Sequence, residues 1–407
     1  MPTPSRLWVS LIAAALALLA IGTGCALTLA GRQSSENRAV NSAEHLVVNV
    51  DELYHSLADA DATAATALLV GPVAPARLTD QYDTDVTQAE NALAEASRDL
   101  AGDDRASAQL EKVAAQLPTY TALIATARAD NRLGYPVGAA YLREASGFLR
   151  GTVLPEVKAV ADEETAAQDS AQNAVSGTPV WLLVVALLAV LALVRVWYVL
   201  SGITRRRLNV GLAAGALLAA ATVAWALVAT SSAAGSAHSA ESDFGKVTAL
   251  LQDRDNLALA QSFQSLTLID RGEDNGADAK GQAAALDSID SDAALGALGE
   301  SSSAQLGALK AQMTDVATAV SNGDFYHAVD LTVGHGSQQS ANTVLVKAAA
   351  LDTALVGQYD AAQKSYAADA GSAGSALSGG LWIGLVGGLA AAAAAAYGIN
   401  RRLAEYR

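Results

Sequence analysis

Two arginines four positions apart, Arg128 and Arg132, are the side chains best spaced to do chemistry in this chain; they lie in the run ARADNRLGYPVGAAYLREAS, residues 127–146. On a helix that spacing puts both on one face, where two guanidinium groups can hold one carboxylate with the Asn131 amide beside them. Tyr135 follows at a Gly/Pro break. A second run, LADADATAATA at residues 57–67, alternates small side chains with Asp59 and Asp61. Asp59, Asp61, Arg128, Asn131, Arg132 and Tyr135 form the expected ligand- or partner-binding set. The alternative is architectural: Arg128 and Arg132 pair with Asp59 or Asp61 on a neighbouring helix and fix the register of a bundle.

Other chemistry finds little support. The histidines, His45, His55, His238, His327 and His335, include no pair at the four-residue spacing that brings two imidazoles to one metal, and no HExxH accompanies them. The one cysteine, Cys25, can build neither a disulfide framework nor a thiolate site. Its context, Gly22-Thr23-Gly24-Cys25, reads either as a lipoprotein cleavage site or as a small residue packed in an apolar helix; the run continuing past it favours packing. No Gly-rich phosphate loop follows a strand, and His335-Gly336-Ser337 lacks the strand and helix that a nucleophile elbow needs. The expectation is a protein that is not an enzyme and uses no metal or cofactor. A formal charge of −15 disfavours nucleic acid as a partner.

Four apolar segments must carry these residues, each close to the ~20 residues a helix needs to cross a bilayer. They place transmembrane helices at 7–31, 179–203, 208–229 and 379–400. Between and around them lie a short N-terminus (1–6), a long segment (32–178), an Arg-rich turn (204–207), a second long segment (230–378) and a short C-terminus (401–407). Arg6, Arg205, Arg206, Arg207, Arg401, Arg402 and Arg407 all flank the spans, and flanking basic residues stay cytoplasmic. Both termini and the turn are therefore expected inside a plasma membrane. The two long segments hold 18 of the 26 basic and 40 of the 41 acidic residues, so the outer face is strongly acidic. Arg205, Arg206, Arg207, Arg401 and Arg402 are the expected contacts for lipid headgroups or a cytoplasmic effector.

Both long segments are rich in Ala, Leu and acids, with apolar residues at spacings of three and four, the helical pattern. Breaks at 71–75, 102–104 and 134–138 divide the first into four helices, and breaks at 271–276, 296–299 and 322–324 divide the second likewise. Pro118 and Pro155 should kink or end their helices. The expected fold is an all-α membrane protein: four transmembrane helices and two extracytoplasmic four-helix bundles in tandem. Gly211, Gly215, Gly380, Gly384 and Gly388 recur every four residues in the last two spans, a spacing that lets backbones approach, either among the chain's own spans or in a dimer.

With ADATAATALL and a Gly/Pro break (60–75), ARADNRLGYPVGAAYLREAS (127–146), LLQDRDNLAL (250–259), IDRGED (269–274) and NGDFYHAVDL (322–331), the chain resembles the actinobacterial GlnX-type four-span membrane proteins over nearly its whole length. That resemblance implies a relay between an extracytoplasmic solute-binding protein for aspartate and glutamate and a cytoplasmic Ser/Thr kinase. The alternative is a structural accessory subunit of a transporter or cell-envelope complex.

Overall fold

In a computed structural model of the chain, the described residues are 3–38, 44–100, 104–163, 210–271, 276–294, 299–334 and 342–404, with isolated positions between 166 and 198. Among them every regular element is helical and no strand occurs. The helices are α1 (Thr3–Arg38), α2 (Glu44–Val70), α3 (Ala76–Asp99), α4 (Asp104–Arg132), α5 (Val137–Phe148), α6 (154–163), α7 (Val210–Ile269), α8 (Ala277–Ala294), α9 (Glu300–Ser321), α10 (Phe325–Val333), α11 (Val344–Leu377) and α12 (Gly380–Ala404). A π turn, Leu149–Val153, joins α5 to α6. It precedes Leu154 and Pro155, whose ring nitrogen has no N–H for the carbonyl four residues back, and in the widened turn Leu154 N–H donates to the Leu149 carbonyl. Pro118, by contrast, sits within an uninterrupted α4.

The six expected breaks all separate helices, but the second segment contains another, after Val333. There Gly334 takes φ 83°, a left-handed conformation open to glycine at little cost, and its N–H closes on the Asp330 carbonyl. The helix resumes at α11, where Thr343 Oγ1 accepts from Val346 N–H at 3.3 Å.

The chain partitions into two compact units: Met1–Val40 with Asp169–Glu241 and Tyr366–Arg407, and Asn41–Gln168 with Ser242–Ser365. In the first, α12 packs against both α1 and α7. A Cβ on Gly22 would lie 2.5 Å from Gly388 Cα and 2.7 Å from the Gly384 carbonyl, and one on Gly215 would lie 2.7 Å from the Ala391 carbonyl. Gly211 meets Gly398, and Gly380 meets Leu29. The glycine spacing thus serves contacts among the chain's own helices. Cys25 is buried in the same core with Leu18, Ile21 and Leu29. Leu16, Leu27, Leu217 and Val386 stay exposed on the outer faces, as side chains facing lipid must. Among the described residues, three helices are long and apolar enough to cross a membrane, within Ile12–Gly31, Ala213–Ile269 and Val344–Gly398, which marks the chain as a membrane protein. The second expected span lies outside the described residues save for isolated positions.

The second unit draws on both long segments rather than dividing between them. One core is built from α2 to α6 around Leu57, Leu110, Tyr120, Ile124 and Leu149, the other from α7 to α11 around Leu257, Ile289, Leu309 and Leu351. They are not independent: Leu266 of α7 is buried in the first core, and Leu69 of α2 packs against the second. A polar seam also joins α2 to α7.

Candidate functional site

Asp61 is the hub of that polar contact. The small residues around it, Ala58, Ala60, Ala62, Ala64 and Ala65, bring neighbouring helices close enough for its buried carboxylate to accept from Ser146 Oγ of α5 and Ser262 Oγ of α7, both at 2.6 Å. Burial pushes the Asp61 carboxyl above its ordinary range, against the pull of Arg150 and the two serine bonds. Arg150 lies over the Phe263 ring at 4.2 Å and 3.8 Å from Asp278. One turn further along α2, Thr66 and Ser265 share a hydrogen bond of 3.3 Å.

Towards the start of α2 the contact becomes a cluster of acids around one imidazole. His55 Nε2 lies 3.3 Å from Asp59 Oδ2 on its own helix, and Nδ1 lies 3.4 Å from Asp255 Oδ1 on α7. Arg254 donates through Nε to Asp352 of α11 at 2.9 Å. Burial raises Asp51 to about 7 and Asp255 well above the usual carboxyl range, and it lowers His55 to about 4. Burial, followed by the charges of Asp85 and Asp352, raises Asp59 to about 8, although 36% of its side chain meets solvent and water there moderates the shift. The raised acids therefore hold their protons above the ordinary carboxyl range while the imidazole stays neutral, and neither of its ring nitrogens is hydrogen-bonded within the described residues.

The arginines expected beside Asp59 and Asp61 are elsewhere. Arg128 stacks over the Tyr82 ring at 5.2 Å and lies 3.6 Å from Asp83 of α3, so the expected pairing of Arg128 or Arg132 with Asp59 or Asp61 does not form. Asp61 instead meets Ser146 of α5 and Ser262 of α7, and Asp59 meets His55 of its own helix. Arg128, Asn131 and Arg132 do come together, at the C-terminal end of α4, where Asn131 Nδ2 donates to the Gly71 carbonyl at 3.0 Å. They line a pocket of about 360 Å³ with the 71–74 turn. Tyr135 is exposed in the next turn and is not part of the lining; its N–H closes on the Asp130 carbonyl at 2.9 Å. Arg401 and Arg402 lie in the last turn of α12, their side chains outside the described part, and Arg205, Arg206 and Arg207 lie outside the described residues.

Asp51, His55 and Asp255 were not anticipated. Their signal was present as Asp51, His55 and Asp59 at intervals of four along one helix, a polar stripe that a polar partner must meet if it is buried.

Residues 35–173, which contain both the cluster's α2 half and the pocket, match the family model of the actinobacterial sensor domain. A sensor domain supports a sensory role. No curated protein and no solved structure matches the chain. The matched stretch begins within α1 and runs beyond α6, and it includes neither α7 nor the helices after it.

Proposed function

We propose that the protein is a non-enzymatic transmembrane relay, in which a signal received by the outer helical unit shifts α7 and α2 against one another and is passed across the membrane to a cytoplasmic effector. The observation that carries this reading is the polar contact between a helix of the sensor match and α7. That one uninterrupted helix of 60 residues, about 90 Å long, holds both a membrane-length apolar stretch and Ser262, Ser265 and Asp255. A helix continuous over that length can transmit a shift of about 1–2 Å, the scale of known interhelical switches. Buried polar contacts suit a switch, because their exchange between partners has discrete alternatives where an apolar core does not.

On this reading the domain faces outward from a plasma membrane with both termini inside. An extracytoplasmic solute-binding protein and a cytoplasmic Ser/Thr kinase are the partners its resemblance to GlnX-type proteins supports. The Arg205 to Arg207 turn and Arg401 with Arg402 are the surfaces such an effector would read.

Locking the contact tests the relay. In a Cys25→Ala background, Thr66→Cys with Ser265→Cys replaces a 3.3 Å hydroxyl pair by two thiols able to form a disulfide. Oxidised protein should lose its response to external stimulus, read as phosphorylation of cytoplasmic proteins, and regain it on reduction. A locked protein that signals like the parent would rule out relative movement of α2 and α7 as the transmitting step.

A further inference from the structure

We propose that the pocket between the 71–74 turn and the C-terminal end of α4 binds a small organic carboxylate, gripped by Arg128 and Arg132. This deepens the sensory reading by naming the chemistry of a signal the domain would take directly, and it rests on that reading only for its consequence, not for binding itself.

The pocket, about 360 Å³, falls within the ~300–1,000 Å³ typical of small-ligand sites. Its walls differ in character. Arg128, Arg132 and Asn131 come from α4, and Leu68, Pro72 and the exposed Val73 from the end of α2 and the turn after it, an arrangement suited to an anion with a short carbon body. Placing two cations side by side is notable in a chain of net charge −15. Arg132 has no acidic partner among the described residues. Arg128 is held in place by the Tyr82 ring, and its one counter-ion, Asp83, is 65% exposed at 3.6 Å, a weak solvent-screened pair that a better-placed carboxylate can displace.

The frame around the arginines is rigid. Asn131 ties the turn to α4 through the Gly71 carbonyl, and Gly138 at the start of α5 sits so close that a Cβ there would lie 2.9 Å from the Ala127 carbonyl and 3.0 Å from Asn131 N. Both guanidinium stems thus rise from backbone fixed on two sides. Planar guanidinium groups pair in the same way with carboxylate and with phosphate, but the apolar wall favours a carbon chain over an inorganic anion.

The test is calorimetric titration of the full chain in lipid nanodiscs with succinate, butyrate and inorganic phosphate at constant ionic strength. At least one carboxylate should bind saturably, with Kd of about 1 mM or tighter, a range within reach of a handful of heavy atoms. Arg132→Gln and Arg128→Gln should each weaken binding about tenfold or more, and Arg132→Lys less. Because Arg132 is exposed and unpaired, Arg132→Gln should leave the ligand-free melting temperature unchanged, which separates lost binding from lost folding. Absence of saturable heat with both carboxylates would overturn the proposal, as would carboxylate binding indifferent to Arg132→Gln or phosphate binding as tight as succinate. Capture of an acidic protein through Arg132 without any small-carboxylate binding would overturn it as well and make this face a docking surface. Intact binding with no change in cytoplasmic phosphorylation would count against the relay and leave the site standing.

Discussion

At the scale of single residues, the cluster around His55 ties the second unit to pH. Asp51, Asp59 and Asp255 have folded-state values raised from an ordinary 3.8, Asp51 to about 7 and Asp59 to about 8. Such acids bind more protons folded than unfolded, so their contribution is present at low pH and is lost as pH climbs towards those raised values. His55 works in the opposite direction: lowered from 6.5 to about 4, it withdraws stability as pH falls through that interval. Above about pH 6.5 only the acids still titrate between the two states. Glu52, Arg254, Asp352 and Lys158 surround the cluster, and the two cations offset the acids without matching their number. The melting temperature of the second unit within the full chain should therefore fall between pH 6.5 and pH 8, and Asp255→Asn, which removes one buried ionisation, should flatten that slope and melt higher than the parent at pH 8. A parent melting temperature that is level over this interval would show that the acids are solvated rather than buried.

At the scale of elements, packing between helices is decided by side chains that are missing. The backbones of α1 and α12 touch through Gly22, Gly384 and Gly388, and apolar helices in lipid gain from such contact because no hydrophobic force otherwise pulls them together. Gly22→Val puts two methyl groups where Gly388 Cα already stands, so the helices must separate. The variant should elute from size exclusion in mild detergent as an aggregated or expanded species and lose its cooperative melt. Gly31→Ala is the matched control: a Cβ there meets nothing within 4 Å, and the helix gains about 0.5–1 kcal/mol of propensity, so the melt should hold or rise slightly. Equal behaviour of the two variants would mean that the glycine contacts do not hold the spans together.

At the scale of the whole molecule, the division of labour is between an apolar unit of α1, α12 and the first part of α7 and a polar-seamed unit that draws on both long segments. Charge is uneven too: 40 of the 41 acids lie in the two long segments, while seven arginines flank the apolar segments. Topology is the property that gives this division meaning. A membrane-impermeant thiol reagent applied to intact cells, in a Cys25→Ala background, should modify a cysteine placed at Glu95 or Gly299 and spare one placed at Asn209 or Glu405. External labelling at Glu405 would reverse the C-terminus and with it any reading of Arg401 and Arg402 as effector contacts.

Helix positions and the membrane character were legible in the sequence because both are local: periodicity, Gly/Pro punctuation and long apolar runs act over one or two dozen residues. The break after Val333 was missed for a local reason too, since a Gly/Ser/Gln-rich stretch has no single strong signal beyond Gly334 itself. The three pocket residues Arg128, Asn131 and Arg132 could be grouped from one helical turn, yet their true neighbours could not. Whether Arg128 meets Asp61 or Asp83 depends on how α2 is rotated about its axis, and that rotation is set by burying Leu53, Leu57, Ala60 and Ala64 in the first core. The joining of the two segments was likewise invisible, since Asp61 with Ser262 and His55 with Asp255 are pairs 200 residues apart by position. A polar stripe on one helix announces only that it needs a polar partner; which helix supplies it is settled by packing, where each buried donor must find an acceptor or leave the fold destabilised.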